Sequence, residues 1–489
     1  MASNIEVEPG ATKESVLIPS ECLENFDHMS SSLEEIKSEN NSSVGSTYEE
    51  SNFVNSNTDN FEDAIDKEEN GSTPEYDLGN STEWTSKNKH IFVLSSAGKP
   101  IYSRHGNEDK LAWLFGVMQA LVSNIQSSDD TLKSIHAGDT LFVFMNKKPL
   151  ILVAVSKTGE CVNQLTLQLN YVFNQITSML TLTRLNKIYE QRQNYDLRRL
   201  LAGGERLIDH LLDFSEKEPA FFLGAVQCLP LASSVRDSIS SAIIGACHKI
   251  KNLVFAILLA KNRLITLVRM KKYYLHPSDL HLIFNLVQSS ESLKYSQHHW
   301  TPFCLPRFDA SGFLYAHVSY LADDCQACLL LLTVERDVCD VLSEAKQKIV
   351  EKLRRNNCLE PINESIATPE ETAVNAGFAE IRHYLYKCKS TAQFYQPSLA
   401  PPYSKEKMRL IEIYKRSNQQ LHNTARPLKL IFERSANEAI FSWDTTAFEL
   451  YVVFEPLIDI ACAIDFVTKL LNWVKKREDK LFHLNAPTF

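Results

Sequence analysis

The sequence predicts an α/β protein of three similar domains, each of short strands and helices, behind a disordered acidic tail. Three observations predict it. First, charge is segregated: residues 1–86 hold 20 acidic and 3 basic residues, a net charge of −17, which leaves +8 on the remaining body. Second, from Lys89 onward, short alternating or continuous apolar runs and helix-spaced apolar residues recur three times in much the same order. Third, 489 residues with 44% apolar content are enough for several cores.

The tail comes first. Runs such as SSSLEEIKSENNSSVGS bury too little apolar surface to offset the entropy of ordering, so residues 1–86 are expected to be disordered. The N-terminus MASNIEVEPG has no basic and no apolar stretch, so no signal peptide is expected. Eleven scattered cysteines then read as reduced thiols of a cytosolic protein. No apolar run approaches the roughly 18–20 residues of a bilayer span. The tail is a solubiliser or a regulator that competes with anionic partners for the basic body.

The first domain is expected over 89–202. HIFVLSSAGKPIYSR reads as two strands joined at Gly98-Lys99-Pro100. Leu111, Leu114, Phe115, Met118, Leu121 and Val122 give an amphipathic helix over Glu108–Ser123. TLFVFMNKKPLILVAVS reads as two strands around an Asn146–Pro149 turn, and Glu160 to Leu201 as a long helical stretch broken near Thr181–Thr183. The second domain is expected over 220–358. It has a strand at Ala225–Leu229, a helix over Ala232–Cys247 and strands LVFAILLA and RLITLVRM. A helix over Pro277–Ser290 with Ser278 at its start follows, then three strands and a closing helix Asp337–Arg355. The third domain is expected over 378–489: strand IRHYLYKC, a helix Ser404–His422 capped by Ser404, three strands and a helix Ile460–Arg477. Gly203–Pro219 and Leu359–Gly377 read as linkers.

Covalent chemistry finds little support. Neither GxxxxGK[ST] nor GxGxxG nor GxSxG occurs, which disfavours an ATPase, a GTPase or a common hydrolase. Cys325 and Cys328 form a lone CxxC whose second cysteine enters an apolar strand, so core packing is preferred to a metal or redox role. His298 and His299 are adjacent, hence on opposite strand faces, and His276 and His281 read as surface or cap residues. No cofactor and no metal site is expected.

Two constellations favour binding. Lys348, Lys352 and Arg355 fall on one helix face, with Lys271 and Lys272 at the end of a nearby strand. Together they suit an anionic membrane, each cation contributing on the order of 1 kcal/mol. A merely solvated face is the competing reading, and nucleic acid is a weaker one because no such motif accompanies the cations. Trp300, Phe303 and Phe308, interrupted by Pro302 and Pro306, suit an edge strand with an aromatic anchor. A core tryptophan competes with that reading.

The runs KHIFVLSSAGKPIYSR, GVMQALV, SIHAGD, PLILVAVS, NYDLRRLLAGGERL, LHPSDLHLIFNLV, WTPFCLPRF, RHYLYKCKS, RPLKLIF and FELYVVFEPL lie in order between Lys89 and Phe489. They resemble the vacuolar fusion protein Mon-one family, also called SAND. The resemblance implies three longin-type domains, each a mainly antiparallel five-stranded sheet flanked by helices. It implies a subunit that pairs with the Ccz-one protein to form a guanine nucleotide exchange factor for Rab-seven on late endosomes. Recruitment would come from Rab-five in its GTP form and from phosphatidylinositol 3-phosphate with other anionic lipids, and in animals a third scaffold subunit joins. The chain would be cytoplasmic and bind endosome and lysosome membranes peripherally. The platform is expected on the first domain, at Leu111 and Trp113 in the first helix and at Ser134, Ile135, His136 and Asp139. Trp300 becomes a candidate anchor for the activating GTPase. A non-catalytic adaptor that binds Rab proteins or membranes is the alternative.

Overall fold

The computed structural model describes residues 82–192, 194–290 and 298–489. The tail expected over 1–86 lies outside the described residues except for its last five, and these correct where order begins. Thr82–Thr85 forms a helical turn, α1. The Trp84 ring sits 4.2 Å from that of His90, and its indole Nε1 donates to the His105 carbonyl at 3.1 Å.

The first sheet comprises β1 (Lys89–Ser95), β2 (Pro100–Ser103), β3 (Ser134–Ala137), β4 (Thr140–Lys147) and β5 (Leu150–Ser156), in the order β2-β1-β5-β4-β3. Its central strands are apolar on both faces because both faces are covered. Helix α2 (Ala112–Gln126) lays Phe115, Met118 and Val122 on Phe92, Phe144 and Val153. Helix α3 (Val162–Leu180) lays Leu165, Leu169, Val172 and Ile176 on the opposite face, against Ile91, Val93 and Leu152. The expected helix break is real: Thr181 has φ +58°, and its hydroxyl accepts from the Arg184 amide as α4 (Leu182–Gln191) begins. After α5 (Arg198–Leu201), the first expected linker proves to be a helix, α6 (Glu205–Lys217). Leu207, Ile208, Leu211 and Leu212 recur at helical spacing and are buried beneath it. Glycine at 204 lets α6 start against α3, since a Cβ there would lie 2.8 Å from the Met179 sulfur.

The second and third units repeat the first. After α7 (Pro219–Leu223), β6 (Val226–Cys228) and α8 (Ser233–Cys247) come β7 (Leu253–Ala260), β8 (Arg263–Arg269) and α9 (Pro277–Ser289). Next are β9 (His299–Leu305), β10 (Asp309–Ala322), β11 (Cys325–Thr333), α10 (Cys339–Arg355) and α11 (Leu359–Ala367). The third unit holds β12 (Ile381–Cys388), β13 (Gln393–Tyr395), α12 (Lys407–Leu421), β14 (Leu430–Arg434), β15 (Ala439–Asp444), β16 (Phe448–Phe454), α13 (Ile460–Lys476) and α14 (Glu478–Leu481). The two orders, β8-β7-β11-β10-β9 and β13-β12-β16-β15-β14, match that of the first sheet.

Strand β6, expected to open the second unit, instead splices these sheets. It pairs in parallel with both β8 and β13, giving one eleven-stranded sheet. The second expected linker is likewise helical over α11. Two expected caps also move. The α9 cap is His276, whose Nδ1 accepts from the Ser278 amide at 3.1 Å, and α12 starts at Lys407, beyond Ser404.

Arg236 of α8 fastens the seam. It is 4% exposed and donates to the carbonyls of Leu229, Ile265, Asp479 and Phe482 at 2.7–3.1 Å. The C-terminal residues continue the join, Phe489 donating its amide to the Arg269 carbonyl at 3.2 Å.

Candidate functional site

Helix α2 builds the first candidate surface. Its buried residues recur at three- and four-residue steps, which leaves Trp113, Val117 and Leu121 in a row on the outer face. These three are 58%, 49% and 42% exposed. Ala112, Gly116 and Ala120 lie beside them, also exposed, so the face is apolar and shallow. A Cβ added at Gly116 would meet nothing within 4 Å. Strand β3 forms the sheet edge nearby, with Ser134 and Ile135 half-buried and His136 and Asp139 exposed. Ile135 packs into the layer beneath α2. Leu111 corrects the expected platform: it is fully buried against Phe115 and Phe92, so it builds the domain and offers no surface. Val117, not singled out from the sequence, and Leu121, read there as part of the apolar stripe but 42% exposed, complete the row. The signal was present at i, i+4 and i+8, hidden because every third or fourth residue of α2 is apolar on both faces.

An ionic network fixes this unit against the rest. Lys89, 8% exposed, bonds to Glu160 and to Glu216 of α6, and Lys415 of α12 reaches Glu160 at 3.4 Å. Burial pushes the Glu216 carboxyl up, but the hydrogen bonds of Arg104 and the charges of Lys89 and Arg104 outweigh it and hold the group at about 2.

The basic residues of the second unit are not one patch. Lys271 and Lys272 follow β8 at the end of the sheet where β7 begins and β11 finishes. Arg354 instead pairs at 3.9 Å with Asp324 in the β10–β11 hairpin, so the last turn of α10 and Arg355 lie at the other end. The expectation of a nearby strand is therefore corrected. Lys348 is exposed and 3.5 Å from Glu344, while Lys352 packs over Gly245 of α8.

Trp300 lies on β9, an edge strand of the eleven-stranded sheet, as the prolines suggested. It is half-buried and stacks on Tyr315 at 5.8 Å. Phe303 is core, and Phe308 packs on Phe255 and Tyr273. Cys325 and Cys328 are both buried on β11, and burial pushes the Cys328 thiol up to about 12. His281 is not at the surface: it is fully buried between the Tyr171 hydroxyl at 2.8 Å and the Ala225 carbonyl at 3.0 Å. Among the described residues no group of His, Cys, Asp or Glu is placed to hold a metal ion, and no helix is long and apolar enough to cross a membrane.

Family models for the first, second and third longin domains of FUZ, MON1 and HPS1 match residues 89–211, 251–351 and 380–478. Vacuolar fusion protein MON1 homolog A of Gallus gallus is 45% identical over 408 residues, covering 83% of this chain and 74% of that protein. The Homo sapiens homolog A is 43% identical over 420 residues, 85% of this chain and 64% of that protein, so the chain spans just under two thirds of its length. Protein SAND of Takifugu rubripes is 41% identical over 488 residues, 99% of this chain and 92% of that protein. Bacteriophytochrome RpBphP3 of R. palustris aligns at 8% identity over 76% of this chain and 83% of its own, with a TM-score of 0.17, too low to support an argument. Three domain models in chain order, joined to identities above 40% along most of the sequence, place the chain in the MON1/SAND family of vacuolar fusion proteins.

Proposed function

We propose that the chain acts in vacuole-fusion trafficking as one subunit of a guanine nucleotide exchange factor. Its partner is the Ccz-one protein and its substrate is Rab-seven. The observation that carries this reading is the uncovered apolar row Trp113, Val117 and Leu121 beside the β3 edge. Such a row on one face of a small domain suits a protein interface. The partner subunit and the GTPase divide this surface between them.

Exchange breaks no covalent bond. A GTPase holds its nucleotide through switch loops and Mg²⁺. A platform that binds the emptied, distorted GTPase better than the loaded one weakens nucleotide binding by the same factor, by linkage. A 10⁴-fold effect corresponds to about 5.5 kcal/mol of differential affinity, which a docking face supplies through area and shape. Rab-five in its GTP form and phosphatidylinositol 3-phosphate in an anionic endosomal membrane recruit the complex, through Trp300 and through Lys271, Lys272, Lys348, Lys352 and Arg355. A third scaffold subunit joins in animals.

Release of fluorescent GDP from Rab-seven by the co-expressed pair tests the proposal. Release no faster than the spontaneous rate removes it. GTPase binding without faster release identifies an adaptor instead.

A further inference from the structure

The third unit is short of a helix. On one face, the first sheet carries both α3 and α4, and the second carries both α8 and α10. On the corresponding face, the third sheet carries α13 alone among the described residues, apart from the short α14 and a loop. Helix α13 leans toward β12 and β13: the Trp473 ring lies 6.1 Å from Tyr395 and 6.2 Å from Phe378. Its opposite flank, toward β14 and β15, is left open.

Apolar groups line that opening. Ile460 and Ile464 are about half-exposed, Leu457 just before them is 91% exposed, and Leu430 on β14 is 44% exposed. The register pairs Leu430 with Trp443 and Phe432 with Phe441, which puts all four on the α13 side of the sheet. Phe432 and Trp443 remain half-buried. Basic side chains flank the groove: Arg434 and Lys475 are exposed, against Asp465 on the outer rim. Arg434 lies over the Phe432 ring and donates to the Ile458 carbonyl, which fixes it at one end of the groove. A complementary occupant is a helix with an apolar stripe and acidic flanks.

The chain carries one, outside the described residues. In residues 20–37, Cys22, Phe26, Met29, Leu33 and Ile36 recur at steps of four, three, four and three. Ser20 precedes them in a cap position, and Glu21, Glu24, Asp27, Glu34 and Glu35 flank the stripe. As a helix, the stripe would be about 21 Å long, the same as the span from Ile460 to Val474. A helix of this length is marginal in water alone, so it gains from a surface. The 45 residues from Lys37 to Ser81 give an r.m.s. reach of about 35–40 Å if flexible, enough to cross a body of this size. We propose that residues 20–37 dock in cis as an acidic amphipathic helix in the groove between α13 and β14, supplying the second helix of the third unit.

Hydrogen exchange on the full chain tests this, independently of any exchange activity. The amides of residues 23–36 are expected to exchange roughly ten-fold or more slowly than those of residues 41–81. Phe26→Asp, and separately Ile460→Ser with Ile464→Ser, should each abolish that difference. Unchanged exchange of Val452 and Val453 in β16 verifies that the groove variant folds. Three results overturn the proposal: equal exchange in the unaltered chain, protection that survives the groove substitutions, or protection that is lost on dilution from about 20 to about 1 µM, which assigns the contact to a second copy.

Discussion

Replacing Trp113 by Ala isolates what the α2 face contributes. Its side chain is 58% exposed. Fully burying a tryptophan removes about 150–250 Å² from water, so covering the exposed share removes roughly 90–145 Å². At about 25 cal/mol/Å² that burial contributes about 2–4 kcal/mol, equivalent to a roughly 40- to 400-fold change in affinity. The same substitution should move stability by only about 0.5 kcal/mol, because most of the ring already lies in solvent in the folded chain. Calorimetric titration of the variant against the Ccz-one subunit and against nucleotide-free Rab-seven reads the first number, and a thermal melt reads the second. A large loss toward one of the two, with an unmoved melt, is the expected result. Wild-type affinity for both would refute the assignment of this face. A lowered melting temperature with unchanged affinity would return Trp113 to the fold.

Further outcomes follow from the same structure. Reversing charge at Lys348, Lys352 and Arg355 should weaken binding to anionic liposomes at low salt and matter little at high salt; unaltered co-sedimentation at low salt would leave that face merely solvated. Trp300→Ala should impair recruitment by GTP-loaded Rab-five and, because the ring stacks on Tyr315, lower stability modestly; recruitment at the wild-type level would end the anchor assignment. Burial pushes the Asp279 carboxyl up to about 7, although the Arg307 amide donates to it. The folded state therefore favours the protonated acid, and its stability falls as pH rises from the ordinary carboxylate range through about 7. Asp279→Asn should raise the melting temperature more at pH 8 than at pH 5, and equal shifts at both would contradict the burial argument. Arg236→Met should cost about 3–5 kcal/mol by leaving buried carbonyls without a donor, read as a lower denaturant midpoint, and a midpoint within error of wild type would show that water replaces the guanidinium.

Much of this architecture was legible in the sequence because it rests on local periodicity. IRHYLYKC, LVFAILLA and the turn at Lys261-Asn262 fall where alternation and turn chemistry put them. Features set by long-range contact were not legible. Ala225–Leu229 reads as a strand, yet only three-dimensional pairing reveals that it joins β8 to β13. Gly203–Pro219 looked like a linker because Gly203-Gly204 and its charges mask an amphipathic helix. Of the candidate residues, Trp113 is exposed on α2, and Ser134, Ile135, His136 and Asp139 lie along and just after β3. Leu111 sits at the boundary between core and surface, where spacing alone does not decide direction. Lys271 and Arg355 separate because strand order, which composition does not encode, places them at opposite ends of one sheet.

The arrangement of sheet edges explains why the first unit suits a platform. An exposed edge is a template for unwanted pairing, and folds cover or shorten theirs. In the second and third units, the edges at β8 and β13 are consumed by β6, which merges two sheets into one slab. The first sheet shares no strand with that slab and meets it through helices and the Lys89–Glu160–Lys415 contacts. Its β3 edge is only four residues long, and the α2 face beside it stays apolar and uncovered. A surface of this kind is a liability for an isolated chain, and its retention fits a protein whose partner covers it. On the proposed reading, the slab is the base that sets the direction of the platform, and the exchange-factor role asks only for a shaped surface of this kind and for no reacting group.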